Sequence, residues 1–332
     1  MEEKDRLQRG ILLTGASGFI GGAVLARLGR IPDLSLRTLV HRSDLPAGGP
    51  AGIEIVKADL SVPASLEGIC RNIGTVIHAA SYIGDDAERC QAVNARGTEA
   101  LAAQARAAGV GRFIYLSNTA VYGFGIHRGA AEKESVVRPA TAISRSRVQA
   151  EKAVLAAGGT VLRPTFVYGR GDRHFLPALI RALDRFPFLI NGGRARLSVI
   201  SVEELAEVIV ALAAGGVTGT GGETFHVNDG RPVSLKGIVT SLARTTGTRR
   251  PRLSLPYPIA RLVMGLAAGL LFDKDGRRSS AHRLFLVSRD HYYSAARLRR
   301  AVSWPAGLPF DSGLALCADW YRSFRRGPAG ES

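Results

Sequence analysis

Eight residues near the N-terminus, Thr14-Gly15-Ala16-Ser17-Gly18-Phe19-Ile20-Gly21, carry three glycines at a spacing suited to holding a pyrophosphate. They follow the apolar pair Leu12-Leu13 and lead into the helical run Ala23-Val24-Leu25-Ala26. A buried strand that turns sharply into a helix presents free backbone N–H groups and the positive end of a helix dipole. Gly15 makes the tight turn, Gly18 lets phosphates approach the backbone, and Gly21 lets the helix sit close on the strand. Ser17, Phe19 and Ile20 belong to the same turn and are candidate cofactor contacts. A second signal follows at the next strand, which ends at Val40 and runs into His41-Arg42-Ser43, with Arg37 inside it. A carboxylate there would favour NAD, whereas cations and a hydroxyl suit the 2′-phosphate of NADP, which arginine binds in a fork. Arg42 therefore points to NADP, and Asp44 keeps NAD open.

The elements that must position these groups alternate through the first half of the chain. Strands are expected near 10–14, 35–40, 53–57, 75–78, 112–117 and 160–163, with helices near 20–30, 65–72, 94–108 and 142–157. That alternation predicts an α/β fold, a Rossmann-type doubly wound parallel sheet. Past Arg163-Pro164 the segments shorten, with helices near 175–185, 202–214, 235–246 and 258–272, a strand at 224–228 and a final amphipathic stretch at 312–324. Residues 10–170 are expected to form the dinucleotide-binding domain. Residues 171–325 are expected to form a smaller C-terminal substrate lobe over the crevice at the strand ends, with some segments returning to the sheet. Residues 1–9 and 326–332 are expected to be tails.

Composition narrows the class. The 332 residues are 46% hydrophobic and 22% charged, as in a globular protein. Cys70, Cys90 and Cys317 are odd in number and far apart, which predicts neither a disulfide framework nor a metal site. No apolar targeting segment precedes Gly15, which predicts a cytoplasmic protein. The net charge is +16 and 38 of the 44 basic residues are arginine. Without a recognition module or interleaved aromatics this predicts no nucleic-acid partner, and the excess is read as a solvated surface. The apolar run 258–272 beside Arg261, Arg277, Arg278 and Arg283 leaves peripheral contact with an anionic membrane as an expectation.

Several further blocks resemble the extended short-chain dehydrogenase/reductase superfamily, which includes nucleotide-sugar epimerases and dehydratases and 3β-hydroxysteroid dehydrogenase-like proteins. They are Ala58-Asp59-Leu60, His78-Ala79-Ala80, Val93-Asn94-x-x-Gly97-Thr98, Tyr115-Leu116-Ser117, Val121-Tyr122-Gly123, Leu162-Arg163-Pro164-x-x-Val167-Tyr168-Gly169-x-Gly171-Asp172 and Ser198–Ala206. The resemblance implies that Asp59, with Leu60, caps the adenine ring, and that His78, Ala79 and Ala80 line the cofactor cleft. Arg147 and Pro164 lie along the cofactor in the same reading, and helices near 97–108 and 142–157 are implied as a homodimer face.

The resemblance also implies chemistry that this chain lacks. The superfamily transfers a proton through a tyrosine whose pKa is lowered by a lysine four residues later, because an ordinary phenol is a poor acid or base at neutral pH. Aligned on Ala150-Glu151-Lys152, the tyrosine position is Ile143 and the lysine position Arg147. The hydroxyl residue four before Tyr122 is Asn118. Isoleucine moves no proton, arginine stays charged, and asparagine can hold an oxygen without protonating it. The expected catalytic set is therefore Asn118, Arg147 and Tyr82, with Tyr122, His127, Tyr168 and His174 as weaker proton sources. Ile143, Phe166, Phe175, Leu176 and the run Pro258–Leu266 predict an apolar pocket and a hydrophobic carbonyl or hydroxyl substrate, not a nucleotide sugar. Three readings stay open: an NADP-dependent oxidoreductase, a redox-neutral cyclase, isomerase or dehydratase using the cofactor as scaffold, and a non-catalytic NADP-sensing or partner-binding protein.

Overall fold

The computed structural model describes residues 10–41, 45, 52–214, 221–271 and 288–323. Seven strands form one parallel sheet: β1 (Ile11–Thr14), β2 (Leu36–Val40), β3 (Glu54–Lys57), β4 (Thr75–His78), β5 (Arg112–Leu116), β6 (Thr160–Pro164) and β7 (Thr224–Val227), in the order β7-β6-β5-β4-β1-β2-β3. The order reverses between β1 and β4, and ligand crevices open at such a switch.

Near-continuous apolar strands are what a sheet covered on both faces demands, since successive side chains point to opposite sides. Ile11, Leu13, Ile77, Ile114 and Leu162 face one core with α1 (Phe19–Leu28) and the helix Val202–Ala214. Leu12, Val76, Phe113, Tyr115 and Val161 face the other, with α2 (Gly97–Ala107) and α3 (Ala142–Ala156). A third core, around Leu179, Leu197, Ile238 and Phe310, belongs to the lobe. Lobe and sheet are interleaved: Val199–Ser201 pairs with Phe166–Tyr168, after which Val202–Ala214 and β7 return to the sheet layer.

Three expected elements differ. The helix near 65–72 is only a 3-10 turn, Pro63–Leu66, because Gly68 and Asn72 adopt left-handed φ values of 69° and 61°. The helix near 94–108 begins as a π-helical stretch, Cys90–Arg96, before α2. The last amphipathic stretch breaks at Cys317 into Phe310–Leu316 and Ala318–Ser323. The lobe's two- to four-residue strands, such as Phe188–Ile190 and Leu253–Leu255, carry too little pattern to be read in advance.

Candidate active site

A cleft of about 1390 Å³ runs along the C-terminal ends of the strands, from His41 and Asp59 past the glycine turn to Asn118, Arg147 and Pro164. Gly15 has φ 76°, and a Cβ there would lie 2.6 Å from the Ala80 nitrogen, so the turn and the Ala79–Ala80 loop meet as bare backbone. A Cβ on Gly21 would lie 2.0 Å from the Gly15 carbonyl oxygen, which explains the close seat of α1 on β1. Gly18 is the N-cap of α1 and supplies no side chain to its first-turn N–H groups. Ser17, Phe19 and Ile20 line the same stretch.

At the far end of the sheet Asp59 accepts hydrogen bonds from the Ser61 amide (2.8 Å) and hydroxyl (2.7 Å) and faces His41 Nε2 at 3.0 Å. Leu60 lies beside it on the cleft wall. Arg42 is outside the described residues. Arg37 is no phosphate ligand: its guanidinium donates to Glu54 and to the carbonyls of Ile69 and Arg71. It sits near the start of β2, whereas the cleft opens at the strand's end.

His78 does not reach the cleft. Its fully buried ring bridges Thr14 Oγ1 (2.6 Å) and Thr98 Oγ1 (2.9 Å). Burial, with the Arg147 charge, pushes its pKa down to about 3, so it stays a neutral clamp between β1 and α2. The Ala80 amide donates to the same Thr14 oxygen, which fixes Ala79 and Ala80 against the turn.

The reactive end is built on two neighbouring strands. β4 and β5 pair with His78 opposite Tyr115, and the residues three further on, Ser81 and Asn118, both line the cleft beyond the strand ends. Asn118 Oδ1 accepts the Ala120 amide, which leaves its NH2 group to donate to a ligand oxygen. Arg147 reaches in from α3, donating to the Leu116 carbonyl and to Ser81 Oγ, each at 3.0 Å. It is 7% exposed, and no carboxylate lies within ion-pair distance among the described residues. Its Nε, Ser117 Oγ and Thr165 Oγ1 are buried without a protein partner, and all three residues line the cleft. Buried polar groups are satisfied as a rule, so these three atoms leave hydrogen-bonding capacity in the cleft open to a ligand or water.

Asn94 clamps the Ser81–Tyr82 loop: its Oδ1 accepts the Tyr82 amide at 2.7 Å and its Nδ2 donates to the Tyr82 carbonyl at 3.1 Å. The π-helical stretch presents Asn94 to that loop, a common use of such irregularities. Ser81 was missed by sequence reasoning, and its register with Asn118 was the available signal. Tyr82 lines the cleft, but its ring lies 4.5 Å from the Arg89 guanidinium carbon and its hydroxyl packs over Gly84, at the rim.

The other proton sources divide. His174 lines the cleft in a loop held by buried Asp172, whose carboxylate accepts the amides of His174, Phe175 and Leu176. Tyr122 is core: its hydroxyl accepts from Arg163 at 2.8 Å and donates to His226 Nε2 at 2.6 Å, while Arg163 is paired with buried Glu151. His127 packs on Tyr293 and Tyr122, and Tyr168 on Phe310.

The expected apolar wall is also redrawn. Phe166 and Phe175 line the lobe side of the cleft and stack at 4.7 Å, but Leu176 is buried in the lobe core. Ile143, half-buried, is not among the cleft residues, although it shares a helix face with Arg147 one turn on. None of the described side chains of the helix Tyr257–Leu271 lines the cleft. Ala260 packs on Ile190, and Ile259, Leu262 and Val263 face solvent.

The sheet, the glycine cradle and the cleft together define an NAD(P)-dependent enzyme of the extended short-chain dehydrogenase/reductase kind. Residues 11–228 match the family model described as the NAD dependent epimerase/dehydratase family, and the chain belongs to that family. It is 30% identical, over 96% of its length and 97% of the relative's, to the 4-hydroxy-2-methyl-3-oxo-4-farnesyl-3,4-dihydroquinoline-1-oxide ketoreductase of Stigmatella aurantiaca. A 3 beta-hydroxysteroid dehydrogenase/Delta 5-->4-isomerase of Mycobacterium tuberculosis is 27% identical over 94% of this chain and 90% of that one. Among solved structures, Bordetella bronchiseptica WbmH in complex with NAD+ superposes with a TM-score of 0.73, at 16% identity over 94% of this chain and 98% of that one.

Proposed function

We propose that the chain is an NADP(H)-dependent ketoreductase acting on a hydrophobic small-molecule carbonyl compound, with Arg147, Asn118 and Ser81 replacing the usual tyrosine–lysine pair. The observation that carries this reading is Arg147 itself, a buried cation with an unmet Nε that holds the Ser81 hydroxyl in a cleft Asn118 also lines. The cradle at Gly15 and Gly21, the open first turn of α1 and the orphaned Ser117 and Thr165 hydroxyls fit a dinucleotide lying along the cleft. When bound, reduced nicotinamide supplies the hydride that turns a carbonyl carbon into an alcohol carbon. The chain's task is to hold the oxygen and protonate it. Asn118 Nδ2 donates to the oxygen, and Arg147 stabilises the developing negative charge. The Ser81 hydroxyl, which otherwise donates to Asn94 Oδ1 at 3.2 Å, turns to give up its proton to the alkoxide. Arg147, already hydrogen-bonded to Ser81 Oγ, stabilises the serine alkoxide until water reprotonates it.

The stacked Phe166–Phe175 pair and the named substrates of the ketoreductase and steroid-dehydrogenase relatives support an apolar substrate. The test is NADPH oxidation with a panel of hydrophobic ketones. Ser81→Ala is expected to lower kcat about a hundredfold with KM and the NADPH Kd unchanged, and Ser81→Thr to restore most of it. Full activity in Ser81→Ala together with its loss in Tyr82→Phe would move the proton donor to Tyr82.

A redox-neutral reaction is the second reading, favoured by Ile143 at the tyrosine position. It is told apart by substrate turnover without NADPH loss. Cofactor choice rests on the basic His41-Arg42 end of β2. Arg42→Ala is expected to weaken NADPH binding roughly tenfold or more, as loss of a charge-assisted phosphate contact should, and to leave NADH nearly unchanged. Equal losses for both cofactors remove the 2′-phosphate assignment.

A further inference from the structure

We propose that the helix Tyr257–Leu271 and the basic segment before it dock the protein on an anionic membrane surface. A surface helix ordinarily turns its large apolar residues to the core. Here, among the described side chains, the one fully buried is Ala260, packed on Ile190, while Ile259, Leu262 and Val263 are 49%, 63% and 39% exposed. These three stand at i, i+3 and i+4, so they share one face. Leu253, in the strand just before the helix, adds a side chain that is 68% exposed. A contiguous apolar face left to solvent marks an interaction surface.

The surrounding charge names the occupant. Residues 231–272 contain seven arginines and lysines and no aspartate or glutamate. Arg249, Arg250, Arg252 and Arg261 are exposed, and none has a carboxylate partner among the described residues. Apolar side chains ringed by unpaired arginines suit the boundary of a bilayer with negatively charged headgroups, where apolar insertion and charge attraction add. Among the described residues no helix is long and apolar enough to cross a membrane, so the contact is peripheral.

The patch is also connected to the cleft. The helix Leu176–Arg185 begins beside Phe175 in the cleft wall and ends just before Phe188–Ile190, the strand on which Ala260 packs. Ten helical residues span about 15 Å. If the substrate is apolar, as proposed above, docking holds the lobe side of the cleft close to the phase in which that substrate dissolves. The docking itself does not depend on that reading.

The test is co-sedimentation of the full chain with phosphatidylglycerol–phosphatidylcholine vesicles, against phosphatidylcholine alone. Binding is expected only with phosphatidylglycerol, and it should fall as salt is raised. Leu262→Glu and the triple variant Arg249→Glu/Arg250→Glu/Arg252→Glu should each reduce it at least about tenfold. Both alter only exposed positions, so the melting temperature and turnover of a water-soluble ketone serve as folding controls. Absence of vesicle binding overturns the proposal, as does binding that survives both variants. If Leu262→Glu instead separates a dimer without changing vesicle binding, the patch is a contact between copies and the proposal fails. Because the assay reads lipid binding alone, an inactive protein that still binds vesicles counts against the ketoreductase reading and not against docking.

Discussion

Gly21→Ala is expected to abolish dinucleotide binding and to destabilise the sheet at once. The added Cβ would stand 2.0 Å from the Gly15 carbonyl oxygen and 2.6 Å from its carbon, both rigid backbone atoms. Either α1 lifts away from β1 or the turn deforms, and both displace the first-turn amides from any phosphate. Overpacking of this kind costs about 3 kcal/mol at the upper end of its ordinary range. For a chain of this size that corresponds to a melting temperature lower by roughly 4 °C. NADPH affinity, read by nicotinamide fluorescence, should fall more than about a hundredfold, the scale of losing several charge-assisted contacts. Gly22→Ala is the control one residue on. Its Cβ would meet only the Ala16 oxygen at 3.4 Å, an ordinary contact, so stability and affinity should hold. Equal tolerance at both positions would remove the role given to the close helix–strand approach.

Arg147→Met should separate chemistry from stability. Methionine keeps much of the arginine's length and removes a buried charge that has no carboxylate partner among the described residues. Replacing buried ionic groups with apolar ones of similar volume is often neutral or stabilising, so the melting temperature should hold or rise. The kcat for carbonyl reduction should fall about 10²–10³-fold, the usual loss when a preorganised donor to a developing oxyanion is deleted. Lowered stability with retained kcat would make Arg147 a structural residue that ties α3 to the Leu116 carbonyl, and the proposed site would lose its centre.

The sheet was legible because its strands are short, mostly apolar except at the exposed edge strand β3, and bounded by turn residues, and because the helices between them bury a recognisable face. The glycine turn was legible for a narrower reason. The backbone of Gly15 and the approach at Gly21 admit no other residue, so geometry is written directly in residue type. What stayed hidden depended on contacts distant in sequence. Nothing local distinguishes a histidine at the end of β4 that faces the cleft from one that locks Thr14 to Thr98. Arg37 seemed a phosphate ligand until Glu54 and two carbonyls, 17 to 34 residues away, claimed its guanidinium. The helix 257–271 has an apolar composition that fits a core, a pocket wall or an open surface equally well. Only Ala260 on Ile190 decides among them.

Ser81 and Asn118 leave adjacent strands at the same offset from paired residues. Both line one cleft from beyond the strand ends, whereas the tyrosine of related enzymes approaches from a helix. A functional group lost from the helix can be replaced from the strand tips by a single substitution, with the sheet and the glycine turn untouched. Reactive inventories in this architecture can thus migrate laterally over evolutionary time. With Ser81 as the proposed proton donor, surveys that classify such chains by a linear tyrosine–lysine motif would count active members as dead, and counting residues past paired strand ends offers a way to find them.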